Sequence, residues 1–467
     1  MIMTRDRSFY KNLIRLAIPI ALQNLITFGV GFADNLMVGS LGDNAISGVY
    51  MGNQPQTVLQ MFIGGVEGAI LVLAAQYWGK NDKSSIKKVV SVGIKFAVAV
   101  GIAATLMTTL FPRQLISLLT SNAGIIEEGV EYLRILGFSY VFFCISQVLI
   151  ASMRSVEVAK IGLYTSLLAF AANTGMNYVL IFGKLGFPAM GVKGAAVATL
   201  VSRIAEAAIM FVYVFRIDHR LRFSLRDLLK TDLLLMKDFI RYGLPIIGGN
   251  LVWSVNMVGQ TAILGRYDSE EVIAATSIAL MLHQLVYVWM NGMASALGII
   301  TGKTVGAGLY DKMKEYAKTV QIIFACIGLL SGALVFLARD GFISLYTLSV
   351  GANEGISLGA QEYARQFINV ISVTLIGSCY QMACLFGLVK SGGDISFVFK
   401  MDTVAVIGVL TLGSLAFVFN AVPWVVFFCL KIDQLLKCIV AVIKINSFNW
   451  MKNLTRETEA TAEKQIT

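Results

Sequence analysis

Charged side chains are scarce in this chain of 467 residues. Asp, Glu, Lys and Arg together make up 14 %, against 57 % hydrophobic residues. Soluble domains carry about a quarter charged residues, so a soluble globule is excluded. Histidine is rarer still: the chain has two, which argues against a His-based metal site or catalytic triad. The six cysteines (Cys144, Cys326, Cys379, Cys384, Cys429, Cys438) all fall within apolar runs. None has the CxxC spacing of a metal site, and they read as packing thiols. An A-x-A-type cleavage site is also missing after the basic start MIMTRDRSFYKNLIR, so no cleavable signal peptide is expected. Facing aspartates, a Ser–His set and an HExxH motif are lacking too, and no connection between apolar runs can hold a soluble catalytic domain. An enzyme is therefore not expected, nor a cofactor.

What is present is a series of apolar runs of about 20 residues, each long enough to cross a bilayer. A transmembrane β-barrel would show short alternating segments instead. The pattern predicts an all-α polytopic membrane protein with twelve spans in two pseudo-symmetric six-helix bundles. Residues 1–215 form the first lobe, 216–237 a cytoplasmic linker, 238–447 the second lobe and 448–467 a polar tail, expected to be disordered from Met451 onward. The linker's leucines recur near helical spacing, as in an amphipathic helix lying on the inner surface. The net charge of +10 does not call for nucleic acid. Basic residues gather in alternate segments (Arg5–Arg15, Lys80–Lys88, Arg154–Lys160, Arg216–Arg241, Lys303–Lys318), and the intervening loops carry Glu127, Glu128, Asp268, Glu270 and Glu271. This is the positive-inside pattern of a multi-pass inner-membrane protein with both termini cytoplasmic. A monomer in the lipid bilayer is expected.

An internal repeat organises the runs. AIPIALQNL at 17–25 matches GLPIIGGNL at 243–251, pairing Pro19 with Pro245 and Asn24 with Asn250, and Gly39 with Gly265 in the same register. Repeated halves are typical of transporters, with the site near the repeat interface. A channel or a receptor can carry repeats as well.

The first run, residues 13–42, holds two exceptional residues. Pro19 removes a backbone donor and should bend the helix, a candidate hinge. Asp34 places a carboxylate in an apolar run, which is costly in hydrocarbon. It either caps and snorkels at the outer end or faces the interior as a functional group. Aspartate is too short to snorkel far and NLMV follows it, which favours the interior. The repeat puts Gln260 opposite it, so the acid of these paired spans belongs to the first half. In the fifth run Asn173 and Asn177 stand one helical turn apart on one face. Together with Asp34 they form a hard-oxygen set suited to Na⁺ or to a protonated carboxyl; the alternative is hydrogen-bonding glue between helices. Arg203 and Glu206, and Asp433 and Lys437, read as structural pairs. His283 is either a proton relay or a packing histidine. Asp394, after KSGG, suits turn or cap duty.

These residues carry a resemblance to the multidrug and toxic compound extrusion (MATE) family over nearly the whole chain. Its carriers are IPIALQNL, FADNLMVGSLG, NYVLIFGKLGFPAMGVKGAAVATLVSR, the repeated GLPI and SGGD at 391–394. The resemblance implies a cation-coupled antiporter that exports amphipathic organic cations in exchange for H⁺ or Na⁺ by alternating access between V-shaped lobes. It implies that Asp34 is the coupling carboxylate, that Asn173, Asn177 and Thr199 complete its cation site, and that Pro19 is a bending proline. His283 and Asp394 stand as secondary coupling candidates. Two positions depart from the family pattern: Asn177 stands where many relatives have a second acid, and Trp253 where a subset of sodium-driven members has a glutamate. A flippase for lipid-linked saccharides shares the architecture, but needs several basic residues to meet pyrophosphate, and the first-half spans offer Arg203 beside Glu206. A non-transporting receptor or scaffold is the remaining alternative.

Overall fold

A computed structural model describes residues 3–230, 232–267, 269–349 and 357–456. Among the described residues every regular element is helical. The order is α1 (Arg7–Gly39), α2 (Asp43–Gly52), α3 (Gln54–Gly79), α4 (Lys83–Leu110), α5 (Pro112–Ser117), α6 (Ala123–Leu136), α7 (Ser139–Ser155), α8 (Lys160–Phe182) and α9 (Val192–Val212). After a short π-helical turn come α10 (Leu225–Leu229), α11 (Leu233–Gly265), α12 (Glu270–Gly306), α13 (Tyr310–Ser349) and α14 (Leu358–Gln381). A π-helical stretch, Met382–Lys390, then leads to α15 (Ile395–Val418), α16 (Pro423–Lys431) and α17 (Asp433–Ser447). The repeat is visible in the lengths, since α1 and α11 each have 33 residues with the proline at the matching place.

Among the described residues nine helical segments are long and apolar enough to span a membrane, and ten if α6 and α7, bent by 53°, count as one. Twelve were expected. The two segments that fall short are helical but polar or broken. α11 is long enough, but Asn250, Asn256 and Gln260 dilute its apolar character. The last segment is interrupted at Ile432, between Lys431 and Asp433.

The chain divides into two compact units, Ile18–Ile247 with Thr455–Thr467 and Met1–Ala17 with Gly248–Leu454. The division falls inside α1 and α11, each within three residues of its proline. In the first unit α3, α4 and α7 share a core in which Ile63, Ile70, Leu73, Ile86 and Leu149 are buried. The second unit packs Ile263, Phe367, Ile371, Phe427 and Leu430 from α11, α14 and α16 into one cluster. Lipid tails are as apolar as leucine, so close fit rather than water exclusion holds such helices together. Gly194 shows the requirement: a Cβ there would lie 2.7 Å from the Leu180 carbonyl, so only glycine lets α9 approach α8 this closely. α8 ends on Gly183 in the left-handed region (φ 65°), the usual helix stop.

Two expectations need correction. Among its described residues the linker is not one surface helix: it holds α10, of five residues, and the first turn of α11. Acids dock the rest instead: Asp227 pairs with Lys87 and Lys230, Asp232 with Lys88, and the Ser91 hydroxyl donates to the Leu228 carbonyl. Burial alone would raise the Asp227 carboxyl, yet Lys230, Lys87 and Ser224 hold it well below the usual carboxylate range. The beginning of the tail is also ordered. Trp450 is fully buried, the Lys452 amide donates to the Gly392 carbonyl at 2.7 Å, and the Arg456 guanidinium forks onto Asp238. Residues 457–467 and Asp268 lie outside the described residues.

Candidate functional site

Three helices of the first unit converge on Asp34. The Asn177 amide donates to its carboxylate at 2.5 Å and to Asn173 Oδ1 at 3.3 Å; the Asn173 amide then reaches Thr199 Oγ1 at 3.3 Å. The helical spacing of Asn173 and Asn177 puts both on the α8 face turned to α1 and α9, and Gly194 lets Thr199 come within reach. Asn173, Asn177 and Thr199 are buried, and Asp34 is half-buried. The structure thus brings together all four residues of the expected cation set. Asn177 Oδ1 is buried without a hydrogen-bond partner. An orphaned buried acceptor is costly, so this oxygen is available to a donor or a cation.

A cavity of about 230 Å³ opens on Asp34, Asn173 and Thr199, lined also by Thr27, Asn53, Gln56, Gln60, Tyr132, Ser202 and Arg203, while Asn177 lies behind the wall. Tyr132 donates to Asn53 Oδ1 at 3.2 Å. Arg203 pairs with Glu206 at 2.8 Å and lies over the Phe143 ring, so its charge is already met. Asp34 is the carboxylate on the cavity wall without an ion-pair partner among the described residues. The polar stripe Asn53, Gln56, Gln60 at helical spacing was a signal of this wall. Tyr132 carried none.

Arg154, assigned to an inner loop by the positive-inside reading, is buried instead. Its Nη2 donates to Gln23 Oε1 at 2.7 Å, and Gln23 donates to Ser166 Oγ at 3.0 Å. Gln23 lies one turn beyond Pro19, so α1 is fastened to α7 and α8 just past the proline.

The two secondary candidates lie in the second unit. His283 stacks on Tyr287 with ring centroids 6.1 Å apart. Asp394 precedes α15, but its side chain makes no cap hydrogen bond. It holds Lys444 at 2.7 Å and Lys452 at 2.8 Å, tying α17 and the tail to the loop before α15. That is an anchoring role.

A helical membrane protein of two units, one enclosing a carboxylate–amide–hydroxyl cavity, has the build of a membrane transporter. The family model MatE matches residues 19–179 and 245–422, more than half of the chain, which belongs to the MATE family of efflux transporters. It is 27 % identical over 339 residues to "Probable multidrug resistance protein NorM" of Thermotoga maritima, covering 72 % of each chain. "Probable multidrug resistance protein YoeA" of Bacillus subtilis is 23 % identical, with 73 % of this chain and 74 % of that one covered. A crystal structure of MATE in the bent conformation superposes with a TM-score of 0.83 at 19 % identity, over 94 % of this chain and 96 % of that one. That likeness concerns the fold.

Proposed function

We propose that the protein is a multidrug exporter of the cytoplasmic membrane, exchanging amphipathic organic cations for H⁺ or Na⁺ by alternating access. The observation that carries the coupling reading is Asp34, a carboxylate without an ion-pair partner facing a cavity beside the orphaned oxygen of Asn177. A proton neutralises that carboxylate; Na⁺ takes the same carboxylate with the amide and hydroxyl oxygens of Asn173, Asn177 and Thr199. An organic cation needs the same negative charge, so ion and drug compete and each favours a different conformation. Pro19 is the hinge, because Gln23 fixes α1 directly beyond it. The names of the relatives supply the drug-export part of the reading.

Drug binding to purified wild type and Asp34→Asn, measured across pH and across Na⁺ at constant ionic strength, tests this. Wild-type binding weakens as protons or Na⁺ rise, and the variant loses that response. An unchanged ion response in Asp34→Asn would move coupling to another group.

A further inference from the structure

The second unit contains a buried charged cluster that Asp34 chemistry does not use. Asp402 of α15 and Asp433 of α17 converge on one ammonium: Lys437 Nζ lies 2.9 Å from Asp402 Oδ1 and 3.0 Å from Asp433 Oδ2. All three residues are buried. The fit is incomplete. Asp402 Oδ1 is near enough for ion pairing but off the line of a hydrogen bond, and Asp433 Oδ1 has no partner.

The cluster lies where the last membrane segment breaks, between Lys431 and Asp433. Helix ends at a break free backbone carbonyls, and transporters use such interruptions to build ion sites. Here one carbonyl is already taken: Gln260 donates to Leu430 O at 3.3 Å and to Asn256 Oδ1 at 3.0 Å. Gln260 is the residue that the repeat aligns with Asp34.

We propose that Asp402 and Asp433 form a monovalent-cation site whose occupant is the protein's own Lys437 ammonium. Two carboxylates beside a helix break are the oxygen set that a small cation from solution would need. The tethered ammonium has the right charge and is always present at high effective concentration. Lys431 lies over the Phe427 ring and Lys390 over the Phe386 ring, and neither forms an ion pair with an aspartate among the described residues. With Lys431 and Lys390 nearby, the surrounding charge opposes a second cation. This cluster therefore holds no exchangeable ion in the native chain.

The test compares Asp34→Asn with Asp34→Asn/Lys437→Met, so that any ion response at Asp34 is removed from both members. Unfolding midpoints of the purified proteins are measured in NaCl and in N-methyl-D-glucamine chloride at equal ionic strength. The Lys437→Met member gains a saturable, sodium-specific rise of about 2 °C or more, and a further Asp433→Asn change abolishes it. The Lys437-containing member shows none. Equal midpoints in the two salts for folded Lys437→Met would overturn the proposal, as would a sodium response that survives Asp433→Asn. Should Lys437→Met be recovered folded in sodium buffer alone, the proposal stands; recovery in neither buffer refutes substitution of sodium for the ammonium. Because both members lack Asp34, the result does not depend on Asp34 being the coupling group.

Discussion

At the scale of single residues, the candidate site was legible because its chemistry conflicts with its surroundings. A carboxylate in an apolar run, and two amides one turn apart, are anomalies that need no structure to be noticed. Asp34→Asn keeps the size and hydrogen-bonding capacity of the side chain but removes the charge. It should fold at least as well as wild type, since burying a carboxylate is costly, while drug export driven by an ion gradient falls by roughly 100-fold or more, equivalent to about 2.7 kcal/mol in a rate. Transport in proteoliposomes with imposed pH and Na⁺ gradients measures it. Asn177→Asp should strengthen Na⁺ binding by adding a second negative charge next to Asp34; unchanged Na⁺ affinity would place the ion elsewhere. Arg154 shows the opposite case. It closes an apolar run as a loop arginine would, and nothing in the sequence announces that it turns inward to Gln23. Partners 131 residues apart leave no local pattern.

At the scale of elements, helix existence and order were readable from apolar periodicity, but helix ends and breaks were not. The linker's leucine spacing suggests one amphipathic helix, whereas Ser224 and Asp227 close a capping box after a turn, and the following residues enter α11. Pro19 sits within two residues of the boundary between the two units, with Gln23 anchoring the turn that follows. Pro19→Ala restores a backbone donor inside α1. It should leave equilibrium drug affinity nearly unchanged and slow turnover by roughly threefold to tenfold, a barrier change of about 0.7–1.4 kcal/mol. Wild-type turnover in counterflow would remove the hinge role. The tail gives a pH prediction. Burial would raise the Asp394 carboxyl, but Lys444 and Lys452 together hold it below the usual range. A depressed folded pKa means that its stabilisation is present above the ordinary carboxylate value of about 4 and is lost as pH falls below that. In a variant with Trp450 as the one tryptophan, emission should shift to the red as pH drops from about 6 to 3. In Asp394→Asn the shift should already be present at neutral pH.

At the scale of the whole molecule, the distribution of charge predicts orientation, and the ion pairs supply an independent check on it. Lys87 and Lys88 pair with Asp227 and Asp232, so the start of α4 and the linker lie on one side of the membrane. In the second unit Lys312 pairs with Asp6, which puts the start of α13 on the same side as the residues before α1. Each pair joins two segments that the positive-inside pattern assigns to the cytoplasm. The first turn of α12, with Glu270 and Glu271, is acidic, and the same charge pattern assigns it to the opposite face. Orientation can be measured with a membrane-impermeant thiol reagent on a variant freed of its six cysteines. Lys83 is the better inner position than Asp82, because Asp82 caps α4 through the Ser85 amide at 3.0 Å while Lys83 is exposed. In intact cells a cysteine at Glu270 should react and one at Lys83 should not; after permeabilisation both should. Reaction at position 83 alone would invert the protein in the membrane. Protons or sodium entering along their gradients would then reach the Asp34 cavity from the opposite face, and the export reading would fail with it.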